Sequence, residues 1–124
     1  MTKKYDLEER TAKFGEEIIG FVQSLMKNEV NRPLISQVVR SATSIGANFM
    51  EADGAESRKD FFYKIALCKK EAKETKHWLR MIVKANPQKN DECHILSKEA
   101  HELSLIFSSI IISGKKNSNK DKLK

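Results

Sequence analysis

Two carboxylate-x-x-His spacings, Glu74-x-x-His77 and Asp91-x-x-His94, are the residues of this chain whose types and pitch could hold a metal. On a helix, positions three apart share a face, so each pair is half of the ligand set that di-iron bundles use, and Glu51 would add a further carboxylate. The heights disagree. His77 falls about nine residues before its helix should end and His94 about three after the next begins, an axial mismatch of roughly 9 Å. Lys73 and Lys76 beside Glu74 also suit solvent better than a buried ion. No Ser/His/Asp or Cys/His set and no Gly-rich phosphate loop accompanies them. The chain is expected to be no enzyme and to carry no cofactor, with a metal-binding bundle as a remote alternative.

Cationic residues make a different pattern. Lys69, Lys73, Lys76, Arg80 and Lys84 fall within about 80° on one helix, with Lys70 at the edge of the group. That is a basic ribbon on the order of 20 Å long. Cations at this pitch can follow a phosphate backbone, giving salt-dependent binding with little sequence preference. The competing reading is a solvated face with its lysines paired to acids on neighbouring helices, Glu16 and Glu17 among them. The ribbon has only Phe62, near one end, for base stacking, which disfavours sequence-specific single-strand recognition.

A third pattern is polar. Gln37, Ser41, Ser44, Asn48 and Glu51 lie between roughly −60° and −140° from Val38, flanking an apolar stripe. Asp60, Lys64, Leu67, Glu71, Glu74 and Trp78 occupy the corresponding range on the following helix. Such stripes suit either burial against another subunit with Trp78 as anchor, or an exposed Trp shielding bundle surface.

Four amphipathic segments must position these groups. The spacing predicts helices over about 6–28, 32–54, 58–86 and 91–113, each with apolar residues recurring at three and four. Their core stripes are Leu7, Phe14, Ile18, Phe21 or Val22 and Leu25; Leu34, Val38, Ala42, Ile45, Phe49 and Ala52; Phe61, Ile65, Cys68, Ala72, Thr75, Leu79 and Ile82; and Ile95, Leu96, Ala100, Leu103, Phe107, Ile110 and Ile111. Pro33 belongs in a first turn, and Ser57 with Asp60 resembles a capping box. Asn86-Pro87 stops the third helix, Asp91 can cap the fourth, and Gly114 is a natural stop. Ala42 and Gly46 leave a shallow site for close approach of a neighbour. Short connections imply an all-α, up-down-up-down antiparallel four-helix bundle over residues 1–114.

Charge and length agree with one domain. Of the formal +6, the last ten residues, with five Lys and one Asp, carry +4, which leaves +2 on residues 1–114 from 18 basic against 16 acidic side chains. Residues 115–124 are expected to be a disordered Lys-rich tail. Cys68 and Cys93 lack the spacing of a zinc site or disulfide framework. The N-terminus has no apolar run after its lysines, and Leu103–Ile112 is about half the length needed to cross a bilayer. A cytoplasmic protein with no membrane partner is expected.

The run Arg40-Ser-Ala-Thr-Ser-Ile-Gly-Ala-Asn48, followed by Glu51-Ala52, Asp60-Phe61, Lys64, Lys70-Glu71-Ala72, Glu74 and Trp78-Leu79, resembles the bacterial four-helix-bundle family named after the intervening sequences of 23S rRNA genes. Members are similar in fold to the accessory protein of diversity-generating retroelements. The resemblance, over roughly residues 6–112, implies a homopentameric barrel of bundles, and in that accessory protein a basic surface engages nucleic acid and a reverse transcriptase. It implies no enzymatic activity. Arg40, Ser44, Asn48 and Glu51 match the motif and are assigned, with Glu71, Glu74 and Trp78, to contacts in or between subunits. Phe49-Met50 and Asp53 depart from the usual Asn-Ile-Ala-Glu-Gly form, leaving Gly54 to end the helix later. The expected function is a homo-oligomeric scaffold, pentameric by resemblance, that binds RNA or DNA through Lys69, Lys70, Lys73, Lys76, Arg80 and Lys84. The alternative is a protein-interaction adaptor without nucleic-acid binding.

Overall fold

The computed structural model describes the backbone of residues 6–122 and the side chains of residues 6–117. Four helices, α1 (Leu7–Gln23), α2 (Asn31–Asp53), α3 (Arg58–Ala85) and α4 (Asn90–Lys122), follow one another, with a 3-10 turn at Pro87–Lys89 before the last. Helix α1 packs on α2, α2 on α3 and α3 on α4, and a thinner α4–α1 seam closes the bundle. Arg10 clamps that seam: its Nε and Nη2 donate to Glu99 at 2.7 Å each, and Nη2 also reaches Glu102 at 3.2 Å. The Glu99 hydrogen bond raises the guanidinium pKa further above its ordinary value.

The apolar stripes read from periodicity meet in a single core, with Phe14, Ile18, Val38, Ile45, Ile65, Leu103 and Phe107 inaccessible to solvent. Ile95 is a correction. It is 68% exposed, because the buried line of α4 runs Cys93, Leu96, Ala100, Leu103, Phe107 and places its predecessor about 100° away. Gly46 and Gly15 bring α1 and α2 together; a Cβ on Gly46 would lie 3.3 Å from Thr11 Oγ1, and one on Gly15 would lie 3.6 Å from Thr43. The neighbour expected over Gly46 is therefore α1 of the same chain.

Helix ends differ from expectation where side chains take over the capping. The first helix, expected to reach Asn28, stops at Gln23, since Ser24 Oγ donates to the Phe21 carbonyl and Lys27 Nζ to those of Val22 and Leu25. Asn28 Oδ1 then accepts from the N–H groups of Val30 and Asn31, starting α2 one residue early. Ser57 Oγ accepts from the Asp60 N–H at 3.0 Å and starts α3 where expected. Asp91 lies inside the first turn of α4, because the 3-10 turn runs straight into that helix. There it favours the positive helix end by charge.

Gly114 does not stop α4. None of the glycines has positive φ, so the left-handed cap that would end a helix is absent, and the chain stays helical to Lys122. Of the tail expected over 115–124, the backbone of residues 115–122 is thus helical, and residues 123 and 124 lie outside the described residues.

Both thiols are buried and unpaired with each other. Desolvation pushes Cys68 up from 9.0 to about 12 and Cys93 to about 11. A thiol raised in the folded state ionises first in the unfolded chain, so the contribution is intact below about pH 9 and is lost as pH rises through the folded values. A thiol reagent at pH 8 should leave both cysteines unmodified in the native protein and modify both in urea. Equal rates in the two conditions would contradict this burial.

Candidate nucleic-acid interface

The two flanks of α3 carry different chemistry because α2 covers one and α4 the other. On the α2 side, Arg40 is the hub: its Nε donates to Gln37 Oε1 at 3.1 Å, Nη1 to Glu71 at 3.3 Å, and Nη2 pairs with Glu74. Glu74 also accepts from the Trp78 indole at 2.9 Å. Further along, Ser44 Oγ donates to the Arg40 carbonyl, Asn48 Nδ2 to that of Ser44, and Lys64 Nζ to Glu51 at 2.7 Å. The Glu51 hydrogen bond raises the Lys64 pKa. Beneath them Ser41 and Thr75 share a buried hydroxyl pair at 2.8 Å, and Thr75 donates on to the Glu71 carbonyl.

The stripe assigned to contacts in or between subunits is thus satisfied inside one chain. Glu74, half of the candidate metal pair, is held by Arg40 and Trp78, while His77 and His94 stand exposed. Among the described residues no three His, Cys, Asp or Glu side chains gather around a common point.

The ribbon of cations lies on the α4 side. Lys70, Lys73, Arg80 and Lys84 are exposed and Lys69 and Lys76 half-buried. None of the six forms an ion pair among the described residues. Pairing to Glu16 and Glu17 does not occur among the described residues, because α1 sits diagonally across the bundle from α3. The polar partner of Lys76 is His101 Nδ1 at 2.9 Å, which accepts, since an ammonium can only donate. Lys76, Arg80, Asn90, His94 and Ser97 border a groove of about 230 Å³ between α3 and α4, floored by Leu79 and Cys93. His94 and His101 are parts of this surface that residue spacing on α3 alone could not supply.

A family model described as 23S rRNA-intervening sequence protein matches residues 3–109. The chain belongs to that family. This member is also similar to a crystal structure at 1.70 Å resolution of a protein with unknown function from the S23 ribosomal protein family of Bacteroides thetaiotaomicron. The two share 29% identity and a TM-score of 0.81 over 89% of this chain and 98% of that one. A search of curated proteins gave no match. No helix among the described residues is long and apolar enough to cross a membrane.

Proposed function

We propose that this family member is a non-enzymatic cytoplasmic scaffold that associates with copies of itself, as a pentamer, and binds RNA or DNA through the cationic flank of α3. What supports the reading is that the six cations on one flank lack ion pairs among the described residues, while five acids on α2, α3 and α4 are committed to other cations. Glu99 and Glu102 hold Arg10, Glu71 and Glu74 hold Arg40, and Glu51 holds Lys64. Pentameric association comes from the family resemblance. It gives a weak site strength by repeating it, since linked sites raise effective concentration.

Retention of mixed RNA on a filter across a salt series tests the binding, and intact-mass measurement tests the assembly. Affinity that falls steeply with salt supports the scaffold. A flat response favours the second reading, a protein-interaction adaptor. That reading rests on the groove of about 530 Å³ on the opposite α1–α2 side, where Ile19 and Met50 adjoin Glu8, Glu9 and Glu16.

A further inference from the structure

Where α4 runs past the expected stop at Gly114, it meets the first turns of α3. Phe62 lies against Gly114 so closely that a Cβ there would overlap its ring. The Arg58 guanidinium sits 5.6 Å from the centre of the same ring, and its Nη2 donates to the Gly114 carbonyl at 3.2 Å. This ridge separates two recesses. One, of about 450 Å³, is bordered by Lys59, Ile111 and Lys115; the other, of about 600 Å³, by Phe61, Ser109, Ser113 and Asn117.

The ridge is in line with the ribbon. On a 100° wheel Arg58, Phe62, Lys69, Lys73, Lys76 and Arg80 fall within about 60° of one another, and Arg58 to Lys84 spans roughly 39 Å of helix. Of the aromatic residues of α3, Phe62 is the one on that flank. Gly114 and Lys115 lie beyond residue 109, where the family match ends, while Arg58, Lys59 and Phe62 lie within it.

We propose that this notch holds one nucleotide step of a single-stranded nucleic acid, a base against Phe62 and Arg58 and the adjoining phosphate between Lys59 and Lys115. The inference rests on the nucleic-acid reading above and adds a strand form to it. An aromatic ring with a planar guanidinium over it is a stacking platform that any base can use. The recess with Lys59 and Lys115 supplies charge for a phosphate, and Ser109, Ser113 and Asn117 supply donors and acceptors for a base edge. An acidic peptide would use the cations and leave the ring idle. A duplex keeps its bases stacked inside and cannot reach Phe62.

The test is fluorescence anisotropy of the full chain with a labelled single-stranded oligonucleotide, as RNA and as DNA, and with a duplex of equal length. Phe62→Leu keeps apolar volume without the ring face, and should weaken single-strand binding about tenfold while leaving duplex binding within about twofold. Lys59→Glu with Lys115→Glu, both exposed and without a packing role, should weaken single-strand binding even if Phe62→Leu fails to fold. The inference is overturned if either folded variant binds single strands like the parent while reversal of Lys69, Lys73 and Lys76 removes binding, an outcome that leaves the ribbon standing. Displacement of the oligonucleotide by phosphatidylglycerol vesicles but not by unlabelled single strand also overturns it. No binding of either strand form by the parent protein removes this inference and the ribbon reading together.

Discussion

Changing Lys69, Lys73 and Lys76 together to Glu removes salt-sensitive RNA retention and leaves a helical, assembled protein. The three sites span about two turns of α3, and reversal turns three positive charges on one flank into three negative ones. Each lost phosphate contact takes roughly 0.7 from the slope of log affinity against log salt for a single strand, so the slope should flatten by about 2. Affinity near physiological salt should fall at least about a hundredfold, because repulsion adds to the lost attraction. The cost to the fold is small by comparison. Lys69 and Lys76 are half-buried and Lys73 exposed, and none is in an ion pair, so what is lost is the Lys76 to His101 hydrogen bond. New acids near Glu71 and Glu74 add like-charge terms of about 0.2–0.5 kcal/mol each. A matched Lys→Gln triple variant separates the two effects, losing attraction without gaining repulsion. Retention that is unchanged in the Glu variant at every salt concentration would sink the ribbon as a binding surface.

Periodicity carried most of the core, because burial at three- and four-residue spacing is a local property of an amphipathic helix. It misplaced Ile95 for a reason that lies outside the segment: in the run Cys93-His-Ile-Leu96, which of two adjacent apolar residues faces inward depends on where α3 and α1 sit. Helix ends were legible where one side chain decides them, as at Ser57, and were not where tertiary contact decides. Gly114 reads as a stop, yet its lack of a Cβ serves the Phe62 ring instead. The polar stripe on α2 was visible, and its use was not. Arg40 lies thirty-one positions before Glu71, and only the α2–α3 packing shows that both, with Glu74 and Trp78, close into one network.

That network bears on how self-association could work. An interface built on Arg40, Glu74 and Trp78 would have to form around groups already hydrogen-bonded within the chain, so it would gain from the remaining apolar face of Trp78 more than from new polar pairs. The exposed side chains of Leu105 and Ile112 on α4 are a further apolar resource, about two turns apart on a helix whose other face is core. The ribbon stays available for an anion in either arrangement only if neighbouring copies leave the α3–α4 flank uncovered, which ties the binding test above to the intact-mass measurement.

Asn31→Leu or Asn86→Leu alone should each destabilise the fold by about 2–4 kcal/mol, out of a total of about 5–15 kcal/mol for a domain, and the double variant should cost clearly less than the sum. The two amides are buried, at 1% and 5% exposure, and face each other across the α1–α2 and α3–α4 connections. Asn31 Nδ2 donates to Asn86 Oδ1 at 3.0 Å and Asn86 Nδ2 returns the bond at 2.9 Å. Each amide spends its second N–H on a backbone carbonyl, Asn31 on that of Met26 in the connection and Asn86 on that of Ile82 in the last turn of α3. Two loops of irregular backbone are thereby pinned to one another in a place that water does not reach. Replacing one partner leaves the other amide buried with an unmet donor and acceptor, and that desolvation penalty is the larger part of the effect. Replacing both removes the penalty and leaves the Met26 carbonyl to bear the loss, since the Ile82 carbonyl still accepts from the backbone N–H of residue 86 at 2.8 Å. Urea unfolding of the two single variants and the double variant measures the coupling, and strict additivity would mean that the paired amides do not act as a unit.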